Sequence, residues 1–272
     1  MNGKIYADMH THSEFSHDST CPIEEMLEAQ LKNGTNIFAV TDHCDLLFYE
    51  KIDVFTPILK SCRKVMELRE KTGAEILTGI ETCESFWYPE QHQKALSLFD
   101  FDVVIGSVHT VLYGDNPIPY SHIDFSTYTN EEINKYLTCY FNDMKKMVET
   151  TDFDVLAHLT CPLRYIQGKY GRKVDLSPYL CQIEEILHLI IKRGISLEIN
   201  SSSLTDYNLL MPEESILKIY KNMDGKLLTY GSDAHTSQNA SNNIEQVHEI
   251  AKKLGFNGLY YYKKRKPIKY EI

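Results

Sequence analysis

The stretch "ADMHTHSEFSHDST", Ala7 to Thr20, sets three histidines among carboxylates and small polar residues. Asp8, His10 and His12 stand two apart. In an extended strand, side chains at i, i+2 and i+4 share one face. Three titratable groups on one face make a poor core and a natural start for a metal site. Strand ends also carry the chemistry of βα-barrels, at the C-terminal ends of their strands.

The rest of the chain repeats this pattern. Short apolar runs recur as "KIYADMH", "NIFAVTDH", "AEILTGIE", "DVVIGSVH", "FDVLAHL", "ISLEIN" and "LLTYGSDAH". The segments between them have helical period. Ile23, Met26, Leu27 and Leu31 fit one face, as do Leu180, Ile183, Leu187, Ile190 and Ile191. Pro22, Pro57, Pro178 and Pro212 stand near helix starts. Gly34, Gly73, Gly194, Gly225 and Gly255 stand near helix ends, the usual asymmetry. Nearly continuous apolar strands alternating with helices imply a parallel sheet covered by helices. Seven such units without a dinucleotide fingerprint favour a barrel over an open sheet. "NGLYYY" offers one more strand. With no linker, repeat or low-complexity segment, residues 1–272 read as a single domain.

Composition limits the function. The chain has 272 residues, 43% hydrophobic and 24% charged, with a formal net charge of −10. Phosphate backbones reward Lys and Arg, so this balance argues against nucleic acid and anionic membranes as partners. No apolar run approaches the ~20 residues of a membrane span, and "MNGKIYADMH" has no signal-peptide core. Seven scattered cysteines without a CxxC pair suit reduced thiols in a cytoplasmic setting. Oligomeric state is left open.

The run endings hold His10 and His12, His43, Glu81, His109, His158, and Asp233 with His235; the remaining run ends in Asn200. One strand-end histidine usually means a structural hydrogen bond. Six of seven run endings carrying His, Asp or Glu is hard to obtain by chance. With Asp18 the candidate ligands are too many for one ion and suit two or three, with Glu81 bridging. Imidazole and carboxylate together suit divalent zinc, manganese or iron, and thiolate is absent from the endings apart from Cys44. Clustered ions can activate a water and clamp a phosphoryl group.

"DMHTH", "TDH", "GIE", "GSVH", "AHL" and "GSDAH", in that order, resemble the motifs of the polymerase-and-histidinol-phosphatase (PHP) metallophosphoesterases, from Asp8 to His235. The resemblance implies a distorted, TIM-like (β/α)7 barrel with a trinuclear centre. It implies a first metal on His10, His12, Glu81 and Asp233. A second would rest on Glu81, His109 and His158, and a third on Asp18, His43 and His235. Asp8 and Asp42 would orient histidines. Glu81, Asp18, His235 and Arg164 would carry catalysis. "TDHCDL", "YGDNPIPYSHIDFS" and "AHLTCPLRYI" are most similar to the stand-alone L-histidinol-phosphate phosphatases, enzymes of histidine biosynthesis acting on a small-molecule phosphate ester. There Arg164 falls where a phosphate-binding arginine is expected. "SSSLTDYN" after "LEIN" lacks a second arginine, for which Lys169, Arg172 or Lys173 could compensate, unless the substrate differs.

Other readings are weaker. A nucleotide or other small phosphate ester is the alternative substrate. Amidohydrolases also begin with HxH but bridge their metals with a lysine, and no lysine ends a strand here. A non-catalytic metal-binding module should show gaps among the ligands, and there are none. His92, His122, His188 and His248 lie outside the run endings; the last two sit in helical segments and suit surface or capping roles. Cys44, Cys83 and Cys161 read as buried thiols rather than nucleophiles. "KKRKP" reads as a solvated end. Trp87 and Tyr88 could wall the pocket or simply pack.

Overall fold

The computed structural model describes residues 4–114 and 117–272. Residues 1–3 of the expected domain, and positions 115 and 116 of the loop "YGDNPIPYSHIDFS", lie outside the described residues. Seven parallel strands form the barrel: β1 (Ala7–Asp8), β2 (Ile37–Val40), β3 (Glu75–Cys83), β4 (Val103–Ser107), β5 (Val155–Leu156), β6 (Ser196–Asn200) and β7 (Leu228–Gly231). Each pairs with the next in sequence. The barrel closes where Met9 N donates to Tyr230 O at 2.8 Å and Thr11 bridges Ala234 in parallel. This is the TIM-like (β/α)7 architecture the apolar runs predict.

Helices α1 (Ile23–Lys32), α2 (Phe55–Thr72), α3 (Pro89–Leu96), α4 (Asn130–Thr150), α5 (Leu180–Arg193), α6 (Glu214–Asn222) and α7 (Ile244–Lys253) join or follow the strands. Their starts follow local chemistry. Pro22 caps α1, and Thr129 with Glu132 forms a capping box on α4. Gly73 and Gly194 end α2 and α5 in the left-handed conformation. Gly225 is different. The positive φ after α6 belongs to Asp224, and a Cβ on Gly225 would stand 2.5 Å from the Tyr220 ring. The predicted face of α1 also ends early, since Leu31 is exposed.

The last segment departs from the barrel. Strands β8 (Leu259–Lys263) and β9 (Lys266–Tyr270) form a separate antiparallel hairpin. "KKRKP" is thus solvated, apart from half-buried Arg265, but as a hairpin turn and not a chain end. Lys264 and Arg265 both have positive φ. Lys264 N donates to Asp102 Oδ1, Arg265 N to Asp102 O, and Arg265 Nε to Asp154 Oδ2 at 3.0 Å. Asp102 and Asp154 precede β4 and β5, so the hairpin covers the end of the barrel opposite the run endings. No helix among the described residues is long and apolar enough to cross a membrane.

Candidate metal centre

Register builds the site. After β2 the chain breaks at Thr41 and Asp42, then resumes along β3 as a short strand, His43–Asp45, with His43 opposite Glu81. His43 Nδ1 thereby comes within 2.7 Å of Glu81 Oε2. The chain beyond β1 stays extended, with Asp233 N donating to His10 O and His12 N to Ala234 O. That brings His10 and His12 beside Asp233. His158 and Asp233 both have positive φ, uncommon for residues with a Cβ and typical of positions fixed by a site.

The nine predicted donors converge in three overlapping groups. In the first, His10 Nε2 and His12 Nε2 are 3.0 Å apart. Each lies 3.3–3.7 Å from Asp233 Oδ1 and 3.6–3.7 Å from Glu81 Oε2. In the second, Glu81 Oε1 is 3.2 Å from His158 Nε2 and 3.4 Å from His109 Nε2, and the two nitrogens are 3.4 Å apart. In the third, Asp18 Oδ2 is 3.5 Å from His43 Nε2 and 3.2 Å from His235 Nε2, with 3.5 Å between the rings' nitrogens. Donors held tetrahedrally at zinc-ligand distances would lie about 3.3–3.6 Å apart. Glu81 spans the first two groups, and its buried Oε2, though 2.7 Å from His43 Nδ1, has no partner in hydrogen-bonding geometry among the described residues. An orphaned buried carboxylate oxygen among imidazole nitrogens fits a cation.

The electrostatics mark a strongly negative centre: against burial, Glu198 and Glu81 hold His10, and Glu81 holds His43 and His109, well above the usual imidazole value. Burial opposes charge on Glu81, yet His109, His43 and His10 hold it well below the usual carboxylate range. Burial, with His235 and His43 nearby, pushes His12 well below its usual value. A neutral imidazole keeps its lone pair for a metal.

Supporting groups differ partly from expectation. Asp8 touches no imidazole ring. It accepts from Ser232 N and Oγ, Gln30 Nε2 and His10 N, bracing the β1–β7 closure. Asp42 acts one step removed, accepting at 2.8 Å from Ser16 Oγ, which lies 3.1 Å from His12 Nδ1. Glu198 is the carboxylate on the His10 ring, at 2.7 Å from Nδ1, and it also accepts from His158 N. Asp45 lies between His17 and His109. Glu84 accepts from the backbone of His109 and Thr110, and burial pushes its carboxyl up to about 7. Glu198 precedes Asn200 by two, the spacing that makes His10 and His12 conspicuous. Cys83, two beyond Glu81, joins the donors near His43 and His109, whereas Cys44 does not. Burial raises the thiols of Cys44, Cys83 and Cys161, as expected of structural thiols.

The centre opens into a cavity of about 370 Å³, within the range of small-molecule sites. Its outer wall includes Phe48, Ile52, Pro119, His122 and Tyr165. Arg164 is the only Lys or Arg lining it among the described residues. Arg164 Nε donates to Ser203 Oγ at 2.7 Å, and Nη2 donates to Ser202 Oγ and, at 3.1 Å, to Asp233 Oδ2. The "SSS" stretch that lacks an arginine thus positions the one present. Arg172 does not compensate; it donates to Phe125 O, Tyr128 O and Asn130 Oδ1. Lys169 lies against the Tyr170 ring, and Lys173 is exposed. Trp87 packs on Phe86 and Tyr88 on Tyr49, away from the cavity. His188 is exposed, His92 bonds Asp152 O, and His122 reaches the cavity wall. His248 is buried and stacked on Tyr6 rather than on the surface.

Fold and site together define a βα-barrel protein whose C-terminal strand ends gather histidine and carboxylate groups that could hold metal ions. The PHP domain model matches residues 8–202, and the chain belongs to that family. A "Probable histidinol-phosphatase" of Thermotoga maritima is 28% identical over 253 residues, covering 93% of this chain and 94% of that protein. Another "Probable histidinol-phosphatase", from Clostridium acetobutylicum, is 26% identical over 262 residues, covering 94% and 97%. The crystal structure of histidinol phosphate phosphatase from Lactococcus lactis, complexed with zinc, L-histidinol and phosphate, shares the fold. Its TM-score is 0.81 at 23% identity, covering 98% of this chain and all of that one.

Proposed function

We propose that the chain is a metal-dependent phosphomonoesterase that hydrolyses L-histidinol phosphate to L-histidinol and phosphate. The observation that carries the chemistry is the meeting of nine imidazole and carboxylate donors in three groups beside one cavity arginine. The substrate follows from the full-length likeness to histidinol-phosphatases. His10, His12, Glu81 and Asp233 would hold one divalent ion, Glu81, His109 and His158 a second, and Asp18, His43 and His235 a third. Zinc, manganese and iron all suit this donor set. When bound, such ions lower the pKa of a water and neutralise phosphoryl oxygens.

The protein supplies the rest. Asp233 Oδ2, Ser202 and Ser203 fix the Arg164 guanidinium, and among the described residues none of its hydrogen bonds uses Nη1. Nη1 is therefore available to an equatorial phosphoryl oxygen, and a charged, planar donor there stabilises developing charge. Glu198 orients His10, and Asp45 faces the outer nitrogen of His109, which fixes which ring nitrogen faces the centre. Asp18, exposed, and His235, half-buried, stand at the mouth, where an incoming ester meets the site. The cavity suits a small ester and not a nucleic acid. All seven cysteines are free thiols, which suits work in the cytoplasm.

The test is a phosphate-release panel over histidinol phosphate, nucleotides and sugar phosphates. Fastest release from histidinol phosphate is expected. Equal rates across the panel would defeat the substrate assignment, and no release from any ester by metal-loaded protein would defeat the phosphatase reading.

A further inference from the structure

Four carboxylates line the cavity: Asp18, Asp45, Glu84 and Asp233. Asp18 and Asp233 belong to the donor groups, and Asp45 faces the rings of His17 and His109. Glu84 alone is uncommitted. It is 1% exposed, and its φ of 52° is a conformation that residues with a Cβ seldom adopt unless their surroundings enforce it. Oε1 accepts from His109 N and Thr110 N, both at 2.7 Å. Among the described residues no hydrogen bond uses Oε2. Oε2 is not one of the sealed, unpartnered polar atoms of the described residues; on a residue that lines the cavity it is open to a ligand's donor.

The cavity is also polarised. Arg164 offers positive charge to a phosphate, whereas Glu84 sits behind the backbone of His109, a member of the second donor group. An ester whose alcohol carries an ammonium group would meet both. In histidinol phosphate two carbons separate the ester oxygen from the α-amino nitrogen, so phosphate and ammonium must bind close together. Resting on the function proposed above, we propose that Glu84 is a specificity-determining residue whose Oε2 accepts a hydrogen bond from the α-ammonium of the departing amino alcohol.

The test crosses one substitution with one change of substrate. Glu84→Gln keeps an oxygen for the His109 and Thr110 amides and removes the charge. N-acetylation of histidinol phosphate removes the ammonium. With wild type, N-acetylation should lower kcat/KM by about tenfold or more, the loss of a charged hydrogen bond. With E84Q the same modification should cost less than about threefold. Equal penalties in the two proteins would overturn the assignment, because a steric clash or a backbone role would act alike in both. If E84Q is insoluble, wild type decides: undiminished hydrolysis of the N-acetyl ester overturns the proposal, and a tenfold loss together with inhibition by L-histidinol but not by N-acetyl-histidinol supports it. Glycerol phosphate separates this from the reading beneath it. A wild-type preference for histidinol phosphate over glycerol phosphate that survives E84Q would remove Glu84 alone. No wild-type preference at all would overturn both.

Discussion

At the scale of single residues, Arg164 and Glu81 make separable predictions. Arg164 is the cation available to a phosphate in the cavity wall, and a charged hydrogen bond lost from a desolvated site costs about 1.5–3 kcal/mol. Arg164→Ala should lower kcat/KM on phosphomonoesters roughly ten- to two-hundred-fold with metal content unchanged. Arg164→Lys should recover only part, since lysine lacks the planar fork. Full activity in the alanine variant would place the phosphate elsewhere. Glu81 reaches two donor groups, so Glu81→Ala should lower metal content and activity together. The control is exposed His188→Ala; His122 lines the cavity and cannot serve. Equal metal loss in both variants would contradict the bridging role. The donors were legible because all but Asp18 end an apolar run. Glu198, Asp45 and Glu84 were not. Glu198 looked like part of an apolar strand, and the partners of Asp45 and Glu84 come from other strands and loops, which local sequence does not specify.

At the scale of elements, register decides which side chains meet. His43 stands opposite Glu81 because the chain resumes its pairing with β3 after Asp42. The seven strands were legible from apolar runs, but the break after Val40 was not, since it depends on hydrogen bonds such as Glu81 N to Asp42 O. Asp8 shows the limit of the alternation rule: it shares spacing with His10 and His12 but bonds Ser232 and Gln30. The end of β7 offers a test. A Cβ on Gly231 would stand 2.1 Å from Glu198 Oε1 and 2.8 Å from His10 Cβ. Gly231→Ala must therefore displace the carboxylate that orients His10. Reduced metal affinity is expected while the far-ultraviolet circular dichroism stays native-like. Unchanged affinity would show that the Glu198–His10 contact does not position the centre.

At the scale of the molecule, the two barrel ends have different tasks. One holds the centre, and the other is covered by the β8–β9 hairpin, whose basic turn had looked like a free end. On one side His248 lies buried against Tyr6, with Nδ1 unpartnered among the described residues. Burial, with Lys4 and Lys252 nearby, pulls it down to about 4. A folded-state value below the unfolded one means that the unfolded chain binds more protons, so this contribution is present at neutral pH and is lost as pH falls from about 6.5 towards 4. His248→Phe should show a shallower loss of stability over that window by denaturant titration; a slope matching wild type would assign the acid sensitivity elsewhere. Chelation should act more broadly. Removing ions from a buried group of carboxylates and imidazoles leaves those charges unmet, and binding to the folded state alone raises stability. Tm should therefore fall on treatment with chelator and return on adding zinc or manganese; an unchanged Tm would argue against ions in the buried groups. The central claim, that nine donors from six run endings and one loop form a single polynuclear centre, is tested most directly by elemental analysis of active protein purified without chelator. Two to three transition-metal equivalents per chain are expected; a reproducible value near zero in active protein would contradict the account.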